Sequence, residues 1–187
     1  MYVETLSLLT AFCYGLSAVL ARKGMRNSSP LMATLVAALV QVLIISVLLL
    51  ASTPPKIVWA AIAFFIASGI LASTLGRLCN YMSIERIGVP ISASIIGSSP
   101  LFSVLFAVLL VGEEVTAIVL IGAVLIVSGI ALTRGGNGEG GFRLESSALI
   151  LPVLSAAFYG ASSAVMKIGL NILPDPTLGA LVGAASS

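Results

Sequence analysis

Polar side chains inside apolar stretches are the first candidates for chemistry in this chain. Arg77 is ionisable and follows a long uncharged run, and Asn80 and Tyr81 come shortly after it. A charged side chain within a bilayer is energetically costly, so it marks a candidate functional site. A guanidinium, an amide and a phenol together suit a carboxylate or phosphate group. If the surrounding helix ends at Gly76, however, Arg77 only reaches the membrane interface, with its stem along lipid and its charge in water.

Two pairs of hydroxyl-bearing residues form a second candidate set. Tyr14 and Ser17 are three positions apart, hence on one side of a helix, and Tyr159 and Ser162 repeat this pair. We expect the pairs to line a central cavity and to face each other across it. The alternative is hydrogen bonding between helices, which contributes about 0.6 kcal/mol on average in membrane proteins.

Three further residues complete the predicted binding site, and a fourth is the predicted helix kink. Gln41 stands in the middle of an apolar run, where it either faces the cavity or bonds to a neighbouring helix. Ser94 and Ser98 precede Pro100, which frees a backbone carbonyl one turn earlier in a helix. We predict a kink at Pro100 that exposes backbone to a solute, with packing geometry alone as the alternative.

The composition argues against several other classes of protein. The chain has no histidine, and its two cysteines, Cys13 and Cys79, lie in apolar stretches, so we predict no metal site and no disulfide framework. It has no acidic cluster and no nucleophile paired with a base, so we predict no cofactor and no enzymatic activity. A formal net charge of +2 is too small to indicate nucleic acid as a partner.

The elements that must position the candidate residues are hydrophobic helices. Of the 187 residues, 59% are hydrophobic and 9% are charged, whereas an average soluble domain has about 25% charged residues. A membrane-spanning helix needs roughly 20 apolar residues. The sequence therefore predicts an all-α, polytopic transmembrane bundle. The predicted helices are 3–21, 31–51, 57–76 (with an alternative end at 85–86), 89–111, 115–133 and 144–168.

The chain continues past these helices with a shorter apolar segment. It begins after Pro174-Asp175-Pro176 and runs to Ser187, about 18 Å of helix, which is too short to cross a bilayer. Residues 134–143 form a glycine-rich linker. We therefore predict a first domain over 1–133, the linker over 134–143, and an incomplete second domain over 144–187, truncated after about six and a half helices.

The chain also contains an internal repeat. When Tyr14 is laid over Tyr159, further residues match in order. The matching pairs are Ala11 with Ala156, Gly15 with Gly160, Ser17 with Ser162, Arg22 with Lys167 and Gly24 with Gly169. The predicted repeat holds five helices, and because five is odd, the second copy must enter the bilayer from the opposite face. Inverted repeats are typical of secondary transporters, whose solute sites lie near the midplane between the halves. The alternative is a duplicated structural bundle without a pathway.

A family resemblance rests on motifs in the fourth and fifth predicted helices. In order, these motifs are Pro100-Leu101-Phe102, Gly112-Glu113, Gly122 and Gly129. They resemble the end of the EamA domain of the drug/metabolite transporter superfamily, over 1–133 and again from 144. The resemblance implies ten helices in two inverted five-helix halves around a central solute pathway. The related small multidrug resistance family has a membrane-embedded glutamate eight residues before a base, where this chain has Tyr14 and Tyr159.

We therefore predict a transporter of small polar or anionic metabolites, exporting them by alternating access. We expect it in the plasma or inner membrane, with the lipid bilayer and a small-molecule solute as partners, and with either an oligomer or a missing C-terminal half. The alternatives are a non-transporting scaffold or partner subunit, and a multidrug-efflux relative with a different coupling residue. Basic residues at the helix ends place the N-terminus outside by the positive-inside rule, whereas the resemblance implies the reverse, so orientation stays open.

Overall fold

Hydrophobic helices form the regular structure of the described parts of the chain, residues 2–50, 58–112, 116–134 and 149–186 of a computed structural model. No strand occurs in these ranges. The helices are α1 (Tyr2–Gly24), α2 (Pro30–Leu50), α3 (Trp59–Gly69), α4 (Arg77–Ile87), α5 (Val89–Ile96), α6 (Ser99–Val111), α7 (Ala117–Arg134), α8 (Ile150–Ile172) and α9 (Pro176–Ala185). Residues 135–148, which carry most of the predicted linker, lie outside the described residues.

Several of these segments have the length and apolar character needed to cross a bilayer. Within the described residues, 4 such spans are found: Pro30–Val47, Trp59–Ile87, Val89–Val111 and Ile150–Ile172. The predicted all-α membrane helical bundle is therefore confirmed. The positions of these helices follow the apolar runs of the sequence, because in lipid only a helix satisfies every backbone polar group within its own segment.

The third predicted helix does not end at Gly76. A π-helical segment, Ile70–Gly76, joins α3 to α4, and together they form a continuous helix of 29 residues, Trp59–Ile87. The longer alternative is the observed one, so Arg77 lies well inside the helix and does not reach the interface at its end. The helix stops at Gly88, whose positive φ of 82° turns the chain into α5.

The fourth span is interrupted near the predicted kink. α5 ends at Ile96, and α6 begins at Ser99 with Pro100 in its first turn. Proline fits the first turn of a helix because its missing N–H has no partner there in any case. The structure thus has a helix break at Gly97 and Ser98, directly before Pro100.

Helix α8 occupies the centre of the packing. It contacts α3, α4 and the π-helical segment on one side, and α5 and α6 on another. Glycines allow these close approaches: a Cβ on Gly160 would lie 2.5 Å from the Cβ of Phe102 in α6, and one on Gly169 would lie 2.6 Å from the ring of Phe65 in α3. Small residues at helix interfaces are the usual means of close packing in membranes.

The remaining helices surround this centre. α9 packs on α2 and α3, where a Cβ on Gly69 would lie 2.1 Å from the carbonyl oxygen of Gly183. α1 touches α4 and α5, and the Arg22 guanidinium at its end donates to the carbonyls of Ile84 and Glu85, the latter at 2.6 Å. A cation at the carbonyl end of a helix complements the helix dipole, so Arg22 ties α1 to the end of α4.

Candidate functional site

A polar cavity of about 350 Å³ lies between α1, α2, α4 and α8. Its lining residues are Tyr14, Ser17, Ala18, Ala37, Gln41, Arg77, Asn80, Tyr81, Ile84 and Tyr159. The volume falls at the lower end of the range of small-molecule sites, roughly 300–1,000 Å³. The cavity is therefore large enough for a small metabolite and too small for a bulky one.

Arg77 supplies the charge of this cavity. Its Nη2 donates to the side-chain oxygen of Gln41 in α2. Its Nη1 is fully buried and has no hydrogen-bond partner. No carboxylate is among the residues that line the cavity, so within this site the guanidinium has one neutral partner and no counter-charge.

Two phenols and an amide stand beside the guanidinium. The side chains of Tyr14, Tyr159 and Asn80 line the same cavity and lie close enough to influence one another. Arg77 is close enough to both phenols to interact with them electrostatically. The arrangement offers N–H and O–H donors around one positive charge, which is the donor set that recognises a carboxylate or a phosphate.

The close approach of α8 and α4 depends on a glycine. A Cβ on Gly76 would lie 3.1 Å from the ring of Tyr159, tighter than an ordinary contact. The bare backbone at Gly76 lets the Tyr159 ring lie against the end of the π-helical segment, next to Arg77. Glycine is suited to places where a side chain must approach a backbone this closely.

Seven of the ten predicted binding residues line this one cavity, namely Tyr14, Ser17, Gln41, Arg77, Asn80, Tyr81 and Tyr159. The Ser17 hydroxyl itself donates to the carbonyl of Tyr14 in its own helix, at 2.7 Å. The two tyrosines, one from each copy of the repeated motif, meet at the cavity.

The other three predicted residues lie elsewhere. Ser94 donates to the carbonyl of Pro90 at 2.8 Å, and Ser98 to that of Ile95 at 2.6 Å, so both hydroxyls are bonded within their own segment. Ser162 is buried and donates to the carbonyl of Ser68 in α3, at 2.9 Å. Its hydroxyl therefore bonds across a helix interface, which is the alternative role considered for it.

Sequence reasoning missed Ser155, a buried residue whose hydroxyl donates to the carbonyl of Gly76 at 2.8 Å. It also missed Ala18, Ala37 and Ile84 in the cavity wall. Apolar wall residues carry no signal in a sequence where most residues are apolar. Ser155 did carry one, since it stands seven positions before Ser162 and hence on the same side of a helix.

A larger apolar groove of about 590 Å³ adjoins the polar cavity along α2. The two share Ala37, Gln41 and Tyr81 as wall residues. The groove runs past Met32, Val36 and Ile44, so the polar end at Arg77 is continuous with an apolar surface.

Comparison with known proteins confirms the predicted resemblance. A family model described as the EamA-like transporter family matches residues 1–135. No curated protein and no solved structure gives a significant match to the chain. The family match covers the α1, α2 and α4 side of the cavity, and α8 with Tyr159 lies beyond it.

Proposed function

Because the chain belongs to the EamA-like transporter family, we propose that it moves small organic anions, carboxylates or phosphate esters, through the cavity around Arg77. The observation that carries this proposal is the buried, unpartnered Nη1 of Arg77 in a cavity whose lining holds no carboxylate. A buried charge without a counter-ion is costly, and an anionic solute would offset that cost.

Each polar neighbour has a role in this proposal. Gln41 holds one arm of the guanidinium and leaves the other arm free for the solute. Tyr14, Tyr159 and Asn80 donate hydrogen bonds to the remaining oxygens of the anion. The adjoining apolar groove accepts a short apolar part of the solute. Neutral polar solutes would lack the charge interaction and would bind more weakly.

We propose that the protein lies in the plasma or inner membrane and transports its solute outward across it by alternating access. In this mechanism two groups of helices rock against each other about the cavity. One group is the first repeat, 1–133, and the other is an inverted second repeat that starts at 144. Tyr14 and Tyr159, one from each repeat, would separate and meet again in each cycle.

The test is anion uptake into proteoliposomes that contain the protein, for a panel of small carboxylates and phosphate monoesters and their neutral analogues. Arg77→Gln should reduce anion uptake at least about tenfold, because a hydrogen bond to a charged group contributes roughly 1.5–3 kcal/mol. Arg77→Lys should retain part of it, since it keeps the charge and loses the two-armed geometry.

Arg26→Gln is the matched control, because it removes an exposed arginine that lies away from the cavity. It should transport like the wild type. If Arg77→Gln also transports every anion at the wild-type rate, the assignment of Arg77 to the solute site is wrong. If neither the wild type nor the Arg26→Gln variant moves any solute while both proteins are folded, the scaffold interpretation gains support.

A further inference from the structure

The π-helical segment Ile70–Gly76 ends directly before Arg77. In it the N–H of Arg77 bonds to the carbonyl of Ala72, five residues earlier, as well as to that of Thr74. Such segments are rare and occur often at functional sites. They contain one residue more than an α-helix of the same length, and one residue of α-helix turns by about 100°. The direction of the Arg77 side chain relative to α3 therefore depends on whether this segment stays π-helical.

Two buried hydroxyls of α8 bond to the two ends of this segment. Ser162 donates to the carbonyl of Ser68 at 2.9 Å, just before the segment, and Ser155 donates to the carbonyl of Gly76 at 2.8 Å, its last residue. Ser155 is 0% exposed and Ser162 is 8% exposed. The serines are seven positions apart, so both point from one side of α8.

α8 is itself fixed from behind, which allows it to act as a template. Gly160, which lies between the two serines, is pressed against Phe102 of α6, and Ser103 of α6 donates to its carbonyl at 3.4 Å. On the front, the Tyr159 ring lies against Gly76. The spacing between the two bonded carbonyls is thus set by a helix that cannot easily shift.

From these contacts we propose that Ser155 and Ser162 are positioning residues, which keep the Ile70–Gly76 segment π-helical and thereby keep Arg77 in the cavity. The proposal deepens the proposed function, because it explains how the anion-binding group is held in place. Without the two hydroxyls, the segment relaxes toward an α-helix and turns Arg77 away from Tyr14 and Tyr159.

The position of residue 77 can be measured without any transport assay. Arg77→Cys is introduced into a background with Cys13→Ala and Cys79→Ala, and the rate of its modification by an anionic methanethiosulfonate reagent is followed by mass spectrometry. Adding Ser155→Ala together with Ser162→Ala should change this rate several-fold. Ser163→Ala is the matched control, because Ser163 is an exposed neighbour that bonds only to the carbonyl of Tyr159 in its own helix, at 3.0 Å.

A rescue variant separates positioning from general damage. Deleting Ala72 removes the extra residue, so an α-helix then connects α3 and α4 with residue 77 still at the cavity. In the double serine variant this deletion should restore the original modification rate. A rate that is unchanged by the serine substitutions in a folded protein overturns the proposal, as does a deletion that restores nothing. If the double variant does not fold, the two single variants are compared with Ser163→Ala under the same criterion.

The outcome also distinguishes this proposal from the proposed function. The double serine variant that retains Arg77 is tested for anion uptake in parallel. If the modification rate changes and anion uptake stays at the wild-type level, the serines position Arg77 but Arg77 does not bind the solute. If both change and neutral analogues are unaffected, both proposals are supported.

Discussion

Helices α1 and α8 carry the same four-residue pattern, Tyr-Gly-x-Ser, in very different surroundings. In α8, Gly160 is in close contact with Phe102, and Ser162 donates to Ser68 of another helix. In α1, nothing lies within 4 Å of a Cβ added to Gly15, and Ser17 bonds only within its own helix. Tyr14 is 51% exposed.

The comparison separates two jobs within one motif. In α8 the glycine and the serine contact neighbouring helices, whereas in α1 neither of them does. The tyrosine lines the cavity in both copies, as Tyr14 in α1 and as Tyr159 in α8. A repeated motif therefore identifies equivalent positions, while the surrounding helices decide what each position does.

The glycine pair should give the largest difference between the two copies. Gly160→Ala places a methyl group within 2.5 Å of Phe102, so it should destabilise the bundle by about 1–3 kcal/mol, or lower Tm by roughly 2–10 °C. Gly15→Ala should instead be neutral or slightly stabilising, since alanine favours a helix over glycine by roughly 0.5–1 kcal/mol. Thermal unfolding of the purified variants in detergent measures both. Equal Tm values for the two would remove the contrast between α1 and α8.

The helices themselves were largely predictable, because apolar runs of the right length have few alternatives in a membrane. The end of the third helix stayed open between two alternatives for a physical reason. Arg77, Asn80 and Tyr81 look like the polar end of a helix, whereas they line a cavity along its second half, and the helix continues to Ile87. The sequence contained both interpretations, and only the tertiary structure could decide between them.

The candidate site was predictable to the extent that its polar residues reach the cavity from different helices. Ser94 and Ser98 lie outside this cavity, and each hydroxyl bonds to a backbone carbonyl three or four residues earlier. A serine can always bond locally in this way, so its presence in an apolar run does not by itself indicate a ligand. The π-helical segment left no trace in the hydrophobic pattern, since that pattern reports which residues are apolar and not which carbonyl each N–H contacts. The sequence shows that Gln41 is a polar residue within an apolar run, but it does not show that Gln41 bonds to Arg77.

The tyrosine pair tests whether both copies serve the cavity in spite of their unequal burial. Tyr14→Phe and Tyr159→Phe should each raise the KM for a transported anion by roughly tenfold, because each removes one hydrogen bond to a charged group. The rates for neutral analogues should change less. Uptake over a range of solute concentrations in proteoliposomes gives the KM values. If only Tyr159→Phe raises the KM, Tyr14 lines the cavity without bonding to the solute. The two copies would then differ in solute binding as well as in packing.

The serine pair should give the smallest difference, and it isolates the value of one hydrogen bond between helices. Ser162→Ala leaves the Ser68 carbonyl without its 2.9 Å donor, so it should cost about 0.6 kcal/mol, a typical value for such bonds in membrane proteins, and lower Tm by roughly 1–3 °C. Ser17→Ala removes only a bond to the carbonyl of Tyr14 in the same exposed helix, so Tm should not change measurably. Both proteins are compared with the wild type by thermal unfolding in the same detergent. A larger loss from Ser17→Ala would show that the Ser17 hydroxyl bonds to another helix, and the environments of the two serines would then be alike.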